Sequence, residues 1–254
     1  MAVERSEPMA DEGEVDVVRA HLGDFSDLSP FRAVLSEGER SRADGYKVQE
    51  PRDVFTLARG LLRIELSKRL NVETGDIHFD VRPSGKPDVR PGHSGRPDWR
   101  FSVSHTGPHA AVAFALGKDV GIDIERLDRF VDPLDIAKRY FTAEELQSLE
   151  KLPPEARIRA FLAGWTRKEA IVKARGHTMA ESLTTLTVDL DPEAIHPRSD
   201  DAPSAPARAV CRLTTFEFPA LRLVGAVALQ SDRAPRLSFV PDWTSKLNRG
   251  ARSD

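Results

Sequence analysis

Val120-Gly121-Ile122-Asp123-Ile124-Glu125 constrains this chain more than any other stretch. Val120, Ile122 and Ile124 alternate with Gly121, Asp123 and Glu125, and a period of two is that of a half-buried strand. Asp123 and Glu125 then leave the same face, with Cα atoms roughly 6.5–7 Å apart, so their carboxylates repel unless a positive group sits between them. The plain reading is a solvated strand edge. The functional reading is a hard cation such as magnesium, held by carboxylates together with the phosphates of a ligand.

A second stretch adds weight. The residues from Pro154 to Arg175 repeat at helical spacing and stop at Gly176, a helix-ending glycine. Ile158, Phe161, Leu162, Trp165 and Val172 form the apolar stripe. Glu169 falls near the middle of that stripe, with Lys168 and Lys173 on its margins. A glutamate centred on a buried face is costly unless paired or bound to a metal. A structural Glu–Lys pair would account for Glu169 but would leave Asp123 and Glu125 without a partner. Together the three carboxylates make a magnesium set.

The third group lies upstream. Ser84-Gly85-Lys86-Pro87 is a turn that displays a lysine. The strand from Trp99 ends on Ser104, His105 and Thr106, and after the Gly107-Pro108 turn an apolar strand runs from Ala110 to Leu116. Such a hairpin tip, with Lys86 close by, reads either as an oxyanion site or as a structural histidine. Thr142 followed by Glu145 has the spacing of a capping box, which gives Glu145 a structural explanation.

The 254 residues carry a formal net charge of −3, so there is no basic field for nucleic acid. No segment has the apolar length to span a bilayer, and the polar, acidic start lacks the order of a secretory signal. A single cysteine, Cys211, excludes an internal disulfide and reads as a buried small hydrophobe. A cytoplasmic protein is expected. Residues 1–14 read as a disordered N-terminus, 15–117 as an N-terminal lobe, 118–240 as a C-terminal lobe and 241–254 as a polar tail. In the first lobe a helix opening near Pro51 carries Leu57, Leu61 and Ile64 inward, with Arg52, Arg59, Arg63, Lys68 and Arg69 expected on a solvated face. Residues 88–98 and 191–207 read as loops, and a hairpin across Pro219-Ala220 closes the second lobe.

Gly85-Lys86-Pro87, Phe101-Ser102-Val103-Ser104-His105-Thr106, Gly121-Ile122-Asp123-Ile124-Glu125 and Trp165-Thr166-Arg167-Lys168-Glu169-Ala170-Ile171-Val172-Lys173-Ala174 occur in an order that resembles the 4′-phosphopantetheinyl transferases, in particular the long, surfactin-synthetase-activating type. The resemblance covers roughly residues 28–230. It implies an α+β fold of two similar, pseudo-twofold-related lobes, each a small mostly antiparallel sheet packed on a helix. It implies transfer of the phosphopantetheine arm of coenzyme A to a serine of an acyl or peptidyl carrier protein, with release of adenosine 3′,5′-bisphosphate. By the same resemblance Asp123, Glu125 and Glu169 would hold Mg²⁺, or Mn²⁺, on the pyrophosphate. Glu169 would also take the serine proton, with Lys173 near the leaving phosphate. Lys86, Pro87, Ser104 and His105 would grip the nucleotide and its 3′-phosphate. Lys168 and Glu145 match positions near the site, and Arg52 lies near the family's basic position at the start of the long helix. Ser102 stands where the family often has Asn, at a strand position expected to tolerate change. A monomer is expected, without nucleic-acid or membrane partners. The competing readings are a magnesium phosphodiesterase and a non-catalytic coenzyme A or carrier-binding module.

Overall fold

The computed structural model describes residues 13–83, 85–90, 97–129, 132–176, 183–201 and 210–240. The acidic start, Ser84, the middle of the 88–98 loop, the later part of the 191–207 loop and the polar tail lie outside the described residues.

The chain runs through two passages of the same kind. The first opens with β1 (Glu14–His21), continues through the short helices α1 (Ser29–Ala33) and α2 (Glu37–Asp44) into the long helix α3 (Gln49–Leu70), then through β2 (Phe79–Val81) and β3 (Pro87–Val89), and ends in the hairpin β4 (Trp99–Thr106) and β5 (His109–Leu116). The second opens with β6 (Val120–Arg126), continues through α4 (Pro133–Tyr140) and α5 (Ala143–Glu150) into α6 (Pro154–Arg175), then β7 (Leu186–Val188) and β8 (Ser199–Asp201), and ends in the hairpin β9 (Cys211–Phe218) and β10 (Leu223–Gln230). A short strand, β11 (Arg236–Phe239), follows. The sheets repeat the correspondence. Within the first, β1, β5 and β4 are neighbours in that order; in the second the order is β6, β10, β9, and these pairings are all antiparallel. The expected α+β architecture of two similar lobes is present.

Each long helix closes its lobe for a local reason. Helix α3 buries Leu57, Ala58, Leu61, Leu62 and Leu66 against Phe101, Val112 and Phe114. It stops at Asn71, which takes the left-handed conformation and donates its N–H to the Ser67 carbonyl. Helix α6 stops at Gly176, also left-handed at φ 63°. Helix α5 begins on the expected capping box: the Thr142 hydroxyl accepts from the Glu145 N–H, and Glu145 accepts from the Thr142 N–H. An equivalent box, Ser36 with Glu39, starts α2. Cys211 is buried, as its apolar surroundings require.

Several elements depart from the sequence reading. The 88–98 segment begins as a strand, because β3 pairs with β2. The 191–207 segment contains β8, paired with β7. Strand β11 adds in parallel to β1, placing a C-terminal strand on the first sheet. Of the basic residues of α3, Lys68 is exposed as expected and Arg52 is partly exposed, but Arg59, Arg63 and Arg69 turn inward. Arg63 is 4% exposed and, with Arg59, donates to Glu39, while Arg69 pairs with Glu65 and Asp16. No helix among the described residues is long and apolar enough to cross a membrane.

The two sheets meet where β4 faces β6, and serine hydroxyls bridge the join. Ser102 Oγ accepts from the Ile122 N–H at 3.1 Å, and Ser104 Oγ accepts from the Ile124 N–H at 3.3 Å. Ser102 therefore satisfies a buried backbone group, a more demanding position than the sequence indicated.

Candidate active site

Strand β6 lies directly on α6. A Cβ on Gly121 would stand 1.9 Å from the Ala170 carbonyl oxygen and 2.5 Å from the Ala174 nitrogen, so only glycine permits the approach. The approach places Asp123 of β6 beside Glu169 and Lys173 of α6. Asp123 and Glu125 are 4% and 8% exposed, which removes the solvated-edge reading. Val120, Ile122 and Ile124 on the opposite face pack into the core with Val15, Val17 and Val227.

Each carboxylate has defined partners. Asp123 Oδ1 accepts from Ser104 Oγ at 2.7 Å and from Lys173 Nζ at 2.6 Å. Lys173 also lies 3.5 Å from Glu169 Oε2 and donates to the Ile122 carbonyl at 3.2 Å. Glu125 accepts from Thr106 Oγ1 at 2.8 Å and from Arg129 at 2.6 Å. Burial and the neighbouring Asp123 charge push the Glu169 carboxyl up to about 7. The same two causes raise Glu125. Lys173 is raised despite its burial, because Asp123 and Glu169 favour its charged form.

Asp123 Oδ2 is buried and receives no hydrogen bond. That orphaned oxygen, in a set of three carboxylates, is the chemistry of a hard-cation site, and the residues fit a magnesium ion. Among the described residues no three such groups already stand at metal-holding distances, since Lys173 and Arg129 occupy carboxylate oxygens.

A cleft of about 760 Å³ opens beside these groups. Lys86, Pro87, His105 and Lys173 line it, so the turn lysine and the hairpin histidine do come together. Lys86 Nζ donates to the Val120 carbonyl at 2.9 Å, and burial lowers its pKa to about 8. Burial, followed by the Lys173 charge, lowers His105.

Three of the sequence candidates stand elsewhere. Ser104 serves Asp123 rather than the cleft. Arg52 does not line the cleft and sits 3.8 Å from its neighbour Asp53. The Lys168 side chain is wholly buried, 2.6 Å from Glu145 and 2.7 Å from the Leu183 carbonyl. Burial lowers its pKa and Glu145 opposes that effect. A lysine on the margin of an apolar stripe looks equally suited to an inward or an outward partner; only the packing of α5 against α6 decides.

The sequence reading also missed groups that the cleft contains. Arg42, on α2, lines it and lies over the Phe55 ring at 5.2 Å; Arg59 lies over Phe79 at 4.9 Å. Helical periodicity marked both faces of α3 but carried no information about what α2 and β2 would bring to them. Thr106 was read as part of the hairpin tip but not as a partner of Glu125, and Arg129, the other partner of Glu125, was not distinguished.

An acidic cluster at the join of two lobes, flanked by a cleft with arginine, lysine and histidine on its walls, suits an enzyme that moves a phosphate-bearing group. The comparisons agree. The family described as "4'-phosphopantetheinyl transferase superfamily" matches residues 119–211, the stretch that holds β6 and α6. The chain is 37% identical over 169 residues to 4'-phosphopantetheinyl transferase HetI of Nostoc sp., covering 66% of this chain and 70% of that protein. It is 28% identical over 160 residues to 4'-phosphopantetheinyl transferase Sfp of Bacillus subtilis, covering 63% of this chain and 68% of that one. The chain belongs to the 4′-phosphopantetheinyl transferase superfamily, and it is a transferase of that activity.

Proposed function

We propose that the chain moves the 4′-phosphopantetheine arm of coenzyme A onto a serine of an acyl or peptidyl carrier protein, acting as a cytoplasmic monomer. The serine oxygen forms a bond to the pantetheine-side phosphorus. The bond from that phosphorus to the bridging oxygen breaks, and adenosine 3′,5′-bisphosphate leaves with the electron pair. The observation that carries this reading is that Lys173, which lines the basic cleft, pairs with Asp123 and Glu169. Asp123, Glu125 and Glu169 would hold Mg²⁺, with Mn²⁺ as the substitute. Bound there, the ion supplies neutralisation of charge on the pyrophosphate.

The chain's own residues do the rest. The Lys173 ammonium balances the carboxylates and lies at the edge of the cleft, suited to the negative charge that grows on the departing phosphate. Glu169, raised to about 7, is the group that accepts the serine proton. Lys86, His105 and Arg42 line the cleft as cations or donors for the phosphates of the nucleotide end, and Pro87 shapes the turn that presents Lys86. Ser104 and Thr106 hold the Asp123 and Glu125 carboxylates in place.

The test is intact-protein mass spectrometry of an apo carrier protein incubated with the chain, coenzyme A and Mg²⁺, with and without EDTA. A gain of one phosphopantetheine mass that EDTA abolishes supports the proposal. Hydrolysis of coenzyme A without modification of any fatty-acid, polyketide or peptide carrier would overturn it.

A further inference from the structure

One buried carboxylate ties together three elements that wall the cleft. Glu39, in the capping box of α2, accepts at Oε1 from Arg59 Nε at 2.9 Å and Nη2 at 2.7 Å. At Oε2 it accepts from Arg63 Nε at 2.5 Å and from the Ser36 N–H at 2.9 Å. Arg63 passes the link on, donating from Nη1 to the Thr74 and Ile77 carbonyls, each at 3.0 Å. Burial raises the Glu39 carboxyl, but Arg59, the Ser36 N–H and Arg63 outweigh it and hold the group below the usual carboxylate range. Helix α2, helix α3 and the approach to β2 are thus joined at one charged point, and Glu39, Arg59, Arg63 and Ile77 all line the cleft.

The second lobe shows what a structural tie alone needs. Glu145, in the matching box of α5, takes a single cation from its long helix, the Lys168 ammonium. Lys168 and Arg63 stand at the same distance before the left-handed residue that ends each long helix, Gly176 and Asn71. The place that Arg59 holds in α3 is taken in α6 by Gly164. The second guanidinium, a planar fork closed on one Glu39 oxygen, belongs only to the lobe with the cleft.

Arg42 gives that extra tie a purpose. It lies three residues beyond Glu39 on α2 and so leaves the helix on a neighbouring face. Its guanidinium lines the cleft over the Phe55 ring at 5.2 Å, and among the described residues it has no hydrogen-bond or ion-pair partner. Nothing at its own tip fixes where this cation stands; the seat of α2 on α3 does. We propose that Glu39 is a positioning residue for coenzyme A: by clasping Arg59 and Arg63 it seats α2 so that the Arg42 guanidinium faces a phosphate of the nucleotide. The inference rests on the reading that Arg42 meets coenzyme A.

The experiment compares wild type, Glu39→Gln, Arg59→Met, Arg42→Ala and the doubles Glu39→Gln/Arg42→Ala and Arg59→Met/Arg42→Ala, each assayed below its thermal midpoint. Coenzyme A affinity is read by calorimetry, and KM and kcat by carrier modification. Glu39→Gln and Arg42→Ala should each weaken coenzyme A binding about tenfold with kcat within about twofold, the pattern of lost ground-state binding. Glu39→Gln/Arg42→Ala should bind within about twofold of Arg42→Ala, because a misplaced α2 has no cation left to misplace. Arg59→Met keeps the capping box and Arg63, so it decides the matter if Glu39→Gln does not fold: a loss of about threefold is expected, absent once Arg42 is alanine. Losses that multiply in the doubles would show that Glu39 and Arg59 act on coenzyme A other than through Arg42, and the proposal fails. Weak binding by Arg42→Ala together with normal binding by Glu39→Gln overturns the Glu39 role alone. Normal binding by Arg42→Ala overturns it together with the Arg42 assignment on which it rests.

Discussion

The Ser104 hydroxyl donates a 2.7 Å hydrogen bond to Asp123 Oδ1 across the join between the two sheets, and Ser104 Oγ itself accepts from the Ile124 N–H. One hydroxyl thus both orients a site carboxylate and satisfies the backbone of the strand beneath it.

Ser104→Ala removes both bonds and leaves the buried Ile124 N–H without its acceptor. A loss of about 1–3 kcal/mol in folding stability is expected, with a lower kcat for carrier modification from the freed Asp123 carboxylate. Urea unfolding and steady-state kinetics read the two effects. Unchanged stability and unchanged kcat would contradict the bridge.

Gly121→Ala should be among the most damaging single-methyl additions in the chain. The atoms that the new Cβ meets, at 1.9 and 2.5 Å, are backbone atoms of α6 and have no rotamer to retreat into. The strand would have to lift from the helix, at an expected cost of about 3 kcal/mol or more. Chemical denaturation measures it, and a change below about 1 kcal/mol would show that β6 and α6 lie further apart than described.

Lys168→Met tests the buried ion pair. Glu145 would keep its bonds from the Val188 and Thr142 N–H groups but lose the 2.6 Å ammonium. Breaking one side of a pair this buried is expected to cost about 3–5 kcal/mol. Lys168→Met/Glu145→Gln should recover part of that loss, because no uncompensated charge then remains. Equal stability of wild type and Lys168→Met would argue that the ammonium is solvated in solution.

His109 gives a pH dependence. It pairs across β1 and β5 with His21, the ring centres 4.5 Å apart, and its Nδ1 is buried without a hydrogen-bond partner. Burial, and then the charges of His21, Arg19 and Arg126, pull its pKa from 6.5 to about 4, against a small opposing effect of Asp24. Between those values the unfolded chain holds a proton that the folded chain does not. This contribution to stability is therefore full above about pH 6.5 and is lost as the pH falls towards 4. Thermal midpoints should drop between about pH 7 and about pH 5 in the wild type and drop less in His109→Gln. Parallel curves for the two proteins would refute the assignment.

The sequence was most informative where periodicity and burial coincide. Val120 to Glu125 alternates cleanly because one face meets the core and the other meets a helix, and α6 is bounded by residues with strong local preferences, Pro154 and Gly176. The carboxylates were legible because charged groups at buried positions are costly and so carry information. Strands β3, β8 and β11 were not legible. Each has only three or four residues, and each owes its existence to a partner strand rather than to its own pattern. Three of the α3 arginines, Arg59, Arg63 and Arg69, were misread for a related reason. Arg59 and Arg63 look like a solvated stripe until Glu39, on another helix, is brought against them. Lys168 shows the same limit at the site: Glu145 lies 23 positions away along the chain, and no local pattern links the two.

Strand β11 lies parallel to β1, with Glu14 opposite Arg236 and Val17 opposite Phe239. On the ribosome, therefore, the first sheet waits through the synthesis of more than two hundred residues for its outer strand. Until then β1 presents an open edge to whatever else is nearby, and the nascent protein cannot finish one lobe before starting the other. Maturation is in this sense a closing of a ring, in which the late-made strand fastens the early one.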